Sequence, residues 1–201
     1  MNWMKKVAVA LVCLLPLGLQ AAKVDTLQVK SPSMNKSIEV VVVSPDMAAT
    51  EACPVIYLLH GYGGNARTWV GIKPDLPKIA DEKGIFFVCP DGKNTWYWDS
   101  PLNADVRYET FISDELVKYV DSHYKTVADR KGRAITGLSM GGHGAMWNGL
   151  RHSDVFSAAG STSGGVDIRP FPKNWEMSVQ IGEKAKYPEN WEKYTVINLV
   201  P

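Results

Sequence analysis

The sequence predicts an α/β fold organised on a mainly parallel, doubly wound sheet, and three observations carry that prediction. From Val55 onward, short β-prone runs alternate with helical patterns, the order expected when each strand is followed by a helix that covers it. Val55-Ile56-Tyr57-Leu58-Leu59 and Ile85-Phe86-Phe87-Val88 are unbroken apolar runs, as in strands buried on both faces. Third, Ile135-Thr136-Gly137-Leu138-Ser139-Met140-Gly141 passes from a β-prone run through Gly-x-Ser-x-Gly directly into a helix-competent stretch. That strand-turn-helix context is what presents a nucleophilic serine, with glycines where a Cβ would collide with a neighbouring backbone.

At 201 residues, 45% hydrophobic and 21% charged, the chain is long enough for one domain with a substantial core. Its N-terminus carries Lys5 and Lys6, an apolar run from Val7 to Leu19, and then Gln20-Ala21-Ala22, the three regions of a secretory signal peptide. Residues 1–22 are therefore expected to be removed after Ala21 or Ala22, leaving a domain over 23–201 and an exported, periplasmic or extracellular protein. The apolar run is shorter than the roughly 20 residues of a spanning helix and contains Pro16 and Gly18, so no stable membrane anchor is expected. Cys13 lies inside that run after Val12, without the small preceding residue of a lipidation signal. Loss of Lys5 and Lys6 turns the formal net charge from +1 to −1, and no basic run stands out, which argues against a nucleic-acid partner.

Thr26 to Lys30 and Ser37 to Ser44 read as an antiparallel hairpin at the sheet edge, joined by the polar turn Ser31 to Lys36. Cys53 precedes the strand Val55 to Leu59, and Cys89 ends the strand Ile85 to Val88. If these strands are parallel neighbours, the two sulfurs lie about 15–20 Å apart, so two free, buried thiols are predicted. Asp75 to Lys83 is a short helix that buries Leu76, Ile79 and Ala80 and stops at Gly84. Tyr108 to Tyr124 is the clearest helix, with Phe111, Ile112, Leu116, Tyr119, Val120 and His123 at three-and-four spacing and a structural part for His123. Ala134 to Thr136 is the strand before the serine, Met140 to Arg151 the helix after it, and Phe156 to Ser161 a further strand. Past Gly164-Gly165 the pattern loosens; Trp175 to Ile181 and Glu189 to Tyr194 are short helix candidates, and Val196 to Val200 is apolar.

Serine needs a base to take its proton, and the tetrahedral oxyanion needs fixed donors. In the strand-turn-helix arrangement those donors are the backbone N–H after the serine and one from the loop following an earlier strand, positions that Met140 and Tyr62 occupy. His60-Gly61-Tyr62-Gly63-Gly64 is glycine-rich and follows a strand, so its N–H groups are free to meet an anion; alone it would equally suit an ordinary strand-to-helix loop. His60, Gly61, Trp96 and Tyr97 are candidate substrate contacts.

Leu58-Leu59-His60-Gly61-Tyr62-Gly63-Gly64, Pro90-Asp91-Gly92 followed by Trp96-Tyr97, and Gly137-Leu138-Ser139-Met140-Gly141-Gly142-His143-Gly144-Ala145 together resemble the esterase D family. That family includes S-formylglutathione hydrolases, feruloyl esterases and mycolyltransferase antigens. The resemblance runs from about residue 26 to the end of the chain. It implies an α/β-hydrolase fold and carboxylic-ester hydrolysis through an acyl-enzyme on Ser139, without cofactor or metal, on a small-molecule or carbohydrate-linked ester. In the family an acid and then a histidine follow the serine, whereas here no histidine follows His152, near the end of the serine's own helix. His143 lies one turn beyond Ser139 and suits packing, and His60 suits loop shaping. The expectation is therefore a chain truncated before its last strands, its acid and its base. Two other readings stay open: acyl transfer to a sugar or lipid hydroxyl, and an inert scaffold holding carbohydrate on Trp96, Tyr97 and Trp98.

Overall fold

The computed structural model describes residues 22–200; the expected leader over residues 1–21 lies outside them. β1 (Lys23–Ser31) and β2 (Lys36–Ser44) form the antiparallel hairpin, with Asn35 left-handed at its turn. β3 (Val55–Leu59), β4 (Phe86–Pro90), β5 (Arg133–Gly137) and the two-residue β6 (Ala158–Ala159) complete a six-stranded sheet of order β1-β2-β4-β3-β5-β6. β4, β3, β5 and β6 run parallel, while β2 joins β4 antiparallel, so the hairpin occupies one edge as expected.

Strand periodicity divides the core in two. Val40 and Val42 of β2 pack with Tyr57, Leu59, Phe86, Val88 and Ile135 on one face, whereas Val41 and Val43 pack with Leu58, Phe87 and Cys89 on the other. The second face is covered by Ala66, just before α1 (Thr68–Ile72), and by α2 (Leu76–Lys83), through Leu76 and Ala80. α2 ends at the left-handed Gly84. On the first face lie α3 (Tyr108–Thr110), a π turn (Phe111–Glu115), α4 (Leu116–His123) and α5 (Met140–Arg151). Cys53, before β3, and Cys89, near the end of β4, are free and buried, and the register Val55↔Phe86 places them toward opposite ends of the strands.

Three expectations are corrected. The helix over 108–124 contains a π turn, which rotates the turns after it, so Val117 joins the core while His123 is exposed, stacked on Tyr119 with its Nδ1 2.8 Å from the Tyr119 carbonyl. The predicted strand Phe156 to Ser161 contracts to Ala158–Ala159 with an isolated bridge Leu138↔Thr162, because Phe156 turns into the core against Tyr57 instead of extending the ladder. The C-terminal stretches form α6 (Met177–Ile181) and a 3₁₀ turn (Val196–Leu199), both shorter than the apolar pattern suggested, and α7 (Pro188–Lys193), of the expected length but one residue earlier. Among the described residues no helix is long and apolar enough to cross a membrane.

Candidate active site

Strand pairing creates the site. β3 and β5 are parallel neighbours in the register Leu59↔Gly137, and the Leu138 N–H donates to the Leu59 carbonyl at 3.1 Å, so the loops leaving both strands start side by side. Ser139 takes φ 55° and ψ −116° as the chain turns from β5 into α5. The turn is this tight because two backbones touch. A Cβ at Gly141 would lie 2.2 Å from the Leu59 carbonyl oxygen, and one at Gly137 would lie 2.2 Å from that of Gly141. A bond from the Ser139 N–H to the Thr162 carbonyl, 2.8 Å, holds the elbow from the other side.

The loop after β3 is fixed just as firmly. The Gly61 carbonyl accepts from the Gly64 N–H at 3.0 Å and from His60 Nδ1 at 2.7 Å. His60 Nε2 accepts the Gly92 N–H at 2.9 Å. A carbonyl only accepts and a backbone N–H only donates, so His60 is neutral with its proton on Nδ1. In a planar trans peptide the N–H points opposite the C=O, so pinning the Gly61 carbonyl inward directs the Tyr62 N–H outward. Among the described residues neither the Tyr62 N–H nor the Met140 N–H has a protein acceptor. Tyr62, Ser139 and Met140 line one cavity of about 280 Å³, with Trp96, Phe171, Trp175, Ile168 and Met177 as apolar walls and Gly165 and Asp167 beside them.

His60 and Tyr97 are corrected as substrate contacts. His60 is 1% exposed with both ring nitrogens engaged, and Tyr97 is fully buried, its hydroxyl donating to the His60 carbonyl at 3.0 Å. Gly61 lies against the elbow, a Cβ there coming 3.5 Å from that of Ser139, and Trp96 does reach the cavity. Nor is the Trp96-Tyr97-Trp98 run an open platform for sugars. Trp96 stacks on Trp98, which is itself fully buried. Trp98 donates its indole N–H to His143 Nε2 at 3.0 Å, and His143 Nδ1 donates to the Gly165 carbonyl at 2.7 Å. Burial lowers the His143 pKa to about 4 against the partial support of the Gly165 bond, so it too is a neutral packing histidine.

The other two histidines sit away from the serine. His123 is the last residue of α4 and His152 caps the C-terminal end of α5, which runs back along the sheet from Ser139 at the carboxyl end of β5. His152 Nε2 is 2.9 Å from Glu109, which also receives Arg151 and Trp147. Asp167 is clamped by Arg169, whose hydrogen bonds lower its pKa. Among the described residues no group of three His, Cys, Asp or Glu side chains could hold a metal ion.

The cavity walls from Ser163 to Met177 carried no sequence pattern that marked them. One signature is visible only in three dimensions. Among the described residues eight non-glycine positions take positive φ, and four of them, Trp96, Ser139, Ser163 and Trp175, line this cavity, with Tyr97 and Glu176 next to them in sequence. Each costs about 1–3 kcal/mol and persists where surrounding contacts over-determine it, a pattern typical of functional sites.

Comparisons with known proteins agree with this architecture. Residues 31–199 match the family model described as "Putative esterase". Esterase Rv1288 of Mycobacterium tuberculosis is 30% identical over 149 residues, covering 71% of this chain and 32% of the relative. The chain thus spans about a third of that relative's length. Among solved structures, an S-formylglutathione hydrolase from Agrobacterium tumefaciens superposes with a TM-score of 0.76 at 23% identity, over 90% of this chain and 71% of the other. A ferulic acid esterase superposes with a TM-score of 0.67 at 30% identity, over 87% and 71% of the two chains. Matched over most of its length and folded on the α/β-hydrolase plan, the chain belongs to this esterase family.

Proposed function

We propose that the protein is an exported serine carboxylic-ester hydrolase in which Ser139 Oγ attacks the acyl carbon and forms an acyl-enzyme. The observation that carries this reading is the convergence, on one apolar cavity, of a left-handed serine and two backbone N–H groups without protein acceptors. As Oγ bonds to the carbonyl carbon it gives up its proton to a water at the open side of the cavity, the carbonyl π electrons move to oxygen, and the Tyr62 and Met140 N–H groups receive that charge. Because both are set in advance, they need no reorganisation when the charge appears. Collapse of the tetrahedral species breaks the bond to the alcohol oxygen, which takes a proton from water as it leaves; a second water then attacks the acyl-enzyme, releasing the carboxylic acid and returning a proton to Ser139 Oγ. None of the four histidines of the chain stands ready to take the Ser139 proton: His60 and His143 have both nitrogens engaged, and His123 and His152 lie at the other end of the sheet. The cavity of about 280 Å³ suits a small acyl group.

The test uses protein produced from its own gene. It should hydrolyse short-chain p-nitrophenyl esters and be labelled by a fluorophosphonate, and Ser139→Ala should lose labelling and lower the rate at least about 10³-fold. Equal rates for the two proteins would refute the assignment. Export is read from residues 1–22; a mature N-terminus at Ala22 or Lys23, found by intact mass outside the cytoplasm, is the expected result.

A further inference from the structure

The peptide groups on both sides of Tyr62 are fixed, but by different means. On the N-terminal side the Gly61 carbonyl is held by Gly64 and His60. On the C-terminal side the Gly63 N–H, at a residue with φ 76°, donates to Asn94 Oδ1 at 2.9 Å. Asn94 belongs to the loop after β4, so this contact reaches across from another strand. Its Nδ2 donates to Glu176 Oε2 at 3.3 Å. The orientation of the Asn94 amide follows from its partners: a backbone N–H can only donate and a carboxylate can only accept. Glu176 follows Trp175, whose carbonyl accepts the Trp96 indole N–H at 3.0 Å. Glu176 also stands beside the Tyr62 phenol, where partial desolvation and then the carboxylate raise the phenol pKa.

We propose that Asn94 is a positioning residue for the reaction: through Gly63 it braces the turn that aims the Tyr62 N–H, and through Glu176 it ties that turn to the segment carrying Phe171 and Trp175. Three links make the connection. The Gly61 carbonyl bonds fix the plane that contains the Tyr62 N–H and the Asn94 bond fixes the next plane, so together they lock the Tyr62 φ and ψ that keep this turn in place. Gly63 takes φ 76°, a conformation few contacts enforce by themselves, and the bond to Asn94 Oδ1 fixes its N–H. The partner of Asn94, Glu176, is itself left-handed, with φ 54°, so the far end of the bridge is also constrained. A shift of the Trp175 segment would therefore reach the oxyanion donor through one side chain. Asn94 touches neither the reacting carbonyl nor Ser139, so the effect is on orientation, and it appears in the chemical step more than in binding.

The inference rests on the roles proposed above for Ser139 and Tyr62, and the experiment separates the two. Protein produced from its own gene is compared as wild type, Ser139→Ala, Asn94→Ala, Asn94→Asp and the double variant Asn94→Asp with Glu176→Gln. The substrate is a short-chain p-nitrophenyl ester. Asn94→Ala should lower kcat about 10- to 100-fold, less than the loss of a whole oxyanion donor, with KM within about twofold. Asn94→Asp keeps an acceptor for Gly63 but sets two carboxylates against each other, so kcat falls about tenfold or more. Glu176→Gln in that background offers an amide donor to the introduced carboxylate and restores the pairing, so kcat should return to within about threefold of wild type. Thermal unfolding identifies any variant that fails to fold; if Asn94→Ala does, the Asn94→Asp variant and its rescue decide. Unchanged kcat in a folded Asn94→Ala, or no rescue in the double variant, overturns the role of Asn94 while an inactive Ser139→Ala leaves the esterase reading standing. Equal turnover by wild type and Ser139→Ala overturns that reading and this inference with it.

Discussion

Acidification should weaken the fold through His143 alone by a measurable amount. The imidazole is fully buried between the Trp98 indole N–H and the Gly165 carbonyl, and burial lowers its pKa from the ordinary 6.5 to about 4. As the pH falls, the unfolded chain takes up this proton first, so stability is full above about pH 6.5 and is lost as the pH approaches 4. The separation between the two values is worth about 3 kcal/mol, of which about 2 kcal/mol is gone by pH 5. Protonation would also turn the Trp98 contact into two opposed donors. The assay is urea unfolding at pH 7 and pH 5, for wild type and His143→Gln. Glutamine can accept from Trp98 and donate to Gly165 but does not titrate, so all other groups cancel in the comparison. The wild type should lose about 2 kcal/mol more than the variant over this interval. Equal losses would show that His143 is not held neutral by its surroundings.

Three substitutions test packing and buried polar contacts in the fold. Gly141→Ala sets a Cβ 2.2 Å from the Leu59 carbonyl, a backbone atom that cannot turn aside, and should destabilise by more than about 3 kcal/mol in urea unfolding; Gly71→Ala, with nothing within 4 Å in α1, should be neutral or stabilise by up to about 1 kcal/mol. Glu109→Ala removes the acceptor of the buried Trp147 indole N–H, 2.8 Å away, while Arg151 and His152 can turn toward solvent, so a loss of about 2 kcal/mol in the same measurement is expected.

Legibility in the sequence is uneven for physical reasons. The hairpin, the strands Val55 to Leu59 and Ile85 to Val88, and the helix Met140–Arg151 are legible because uninterrupted apolar runs, period-two patterns and paired glycines are local properties. The π turn at Phe111–Glu115 is not, since it changes the phase of a helix without changing its composition. In the site, Tyr62, Ser139 and Met140 can be named from motif spacing, and the fold sets them around one cavity. His60 and Tyr97 read as exposed loop residues, yet each is buried by partners far away in sequence: Gly92 for the His60 ring and the His60 carbonyl for the Tyr97 hydroxyl. Phe171 escapes notice because it lies on a segment with neither strand nor helix period, and Trp175 because it reads only as the start of a short helix. Asn94 escapes because its role comes entirely from the two groups it bridges.

The position of the cavity follows from strand order. In β4-β3-β5 the chain leaves β3 for one neighbour and later enters the sheet on its other side, and a crevice opens between the carboxyl ends where that reversal occurs. The loops after β3 and β5 meet there as parallel neighbours, and the loop after β4 reaches them through Gly92 to His60 and Asn94 to Gly63. This explains how Ser139 can remain left-handed. Leu138 is bonded to Leu59, the Ser139 N–H to Thr162, the Gly141 N–H to the Leu138 carbonyl and the His143 N–H to the Ser139 carbonyl. Relaxing the serine would break several of these bonds at once, at about 1 kcal/mol each, against a strain of about 1–3 kcal/mol. The strained conformer is therefore the stable one, and it keeps Ser139 in the lining of the cavity.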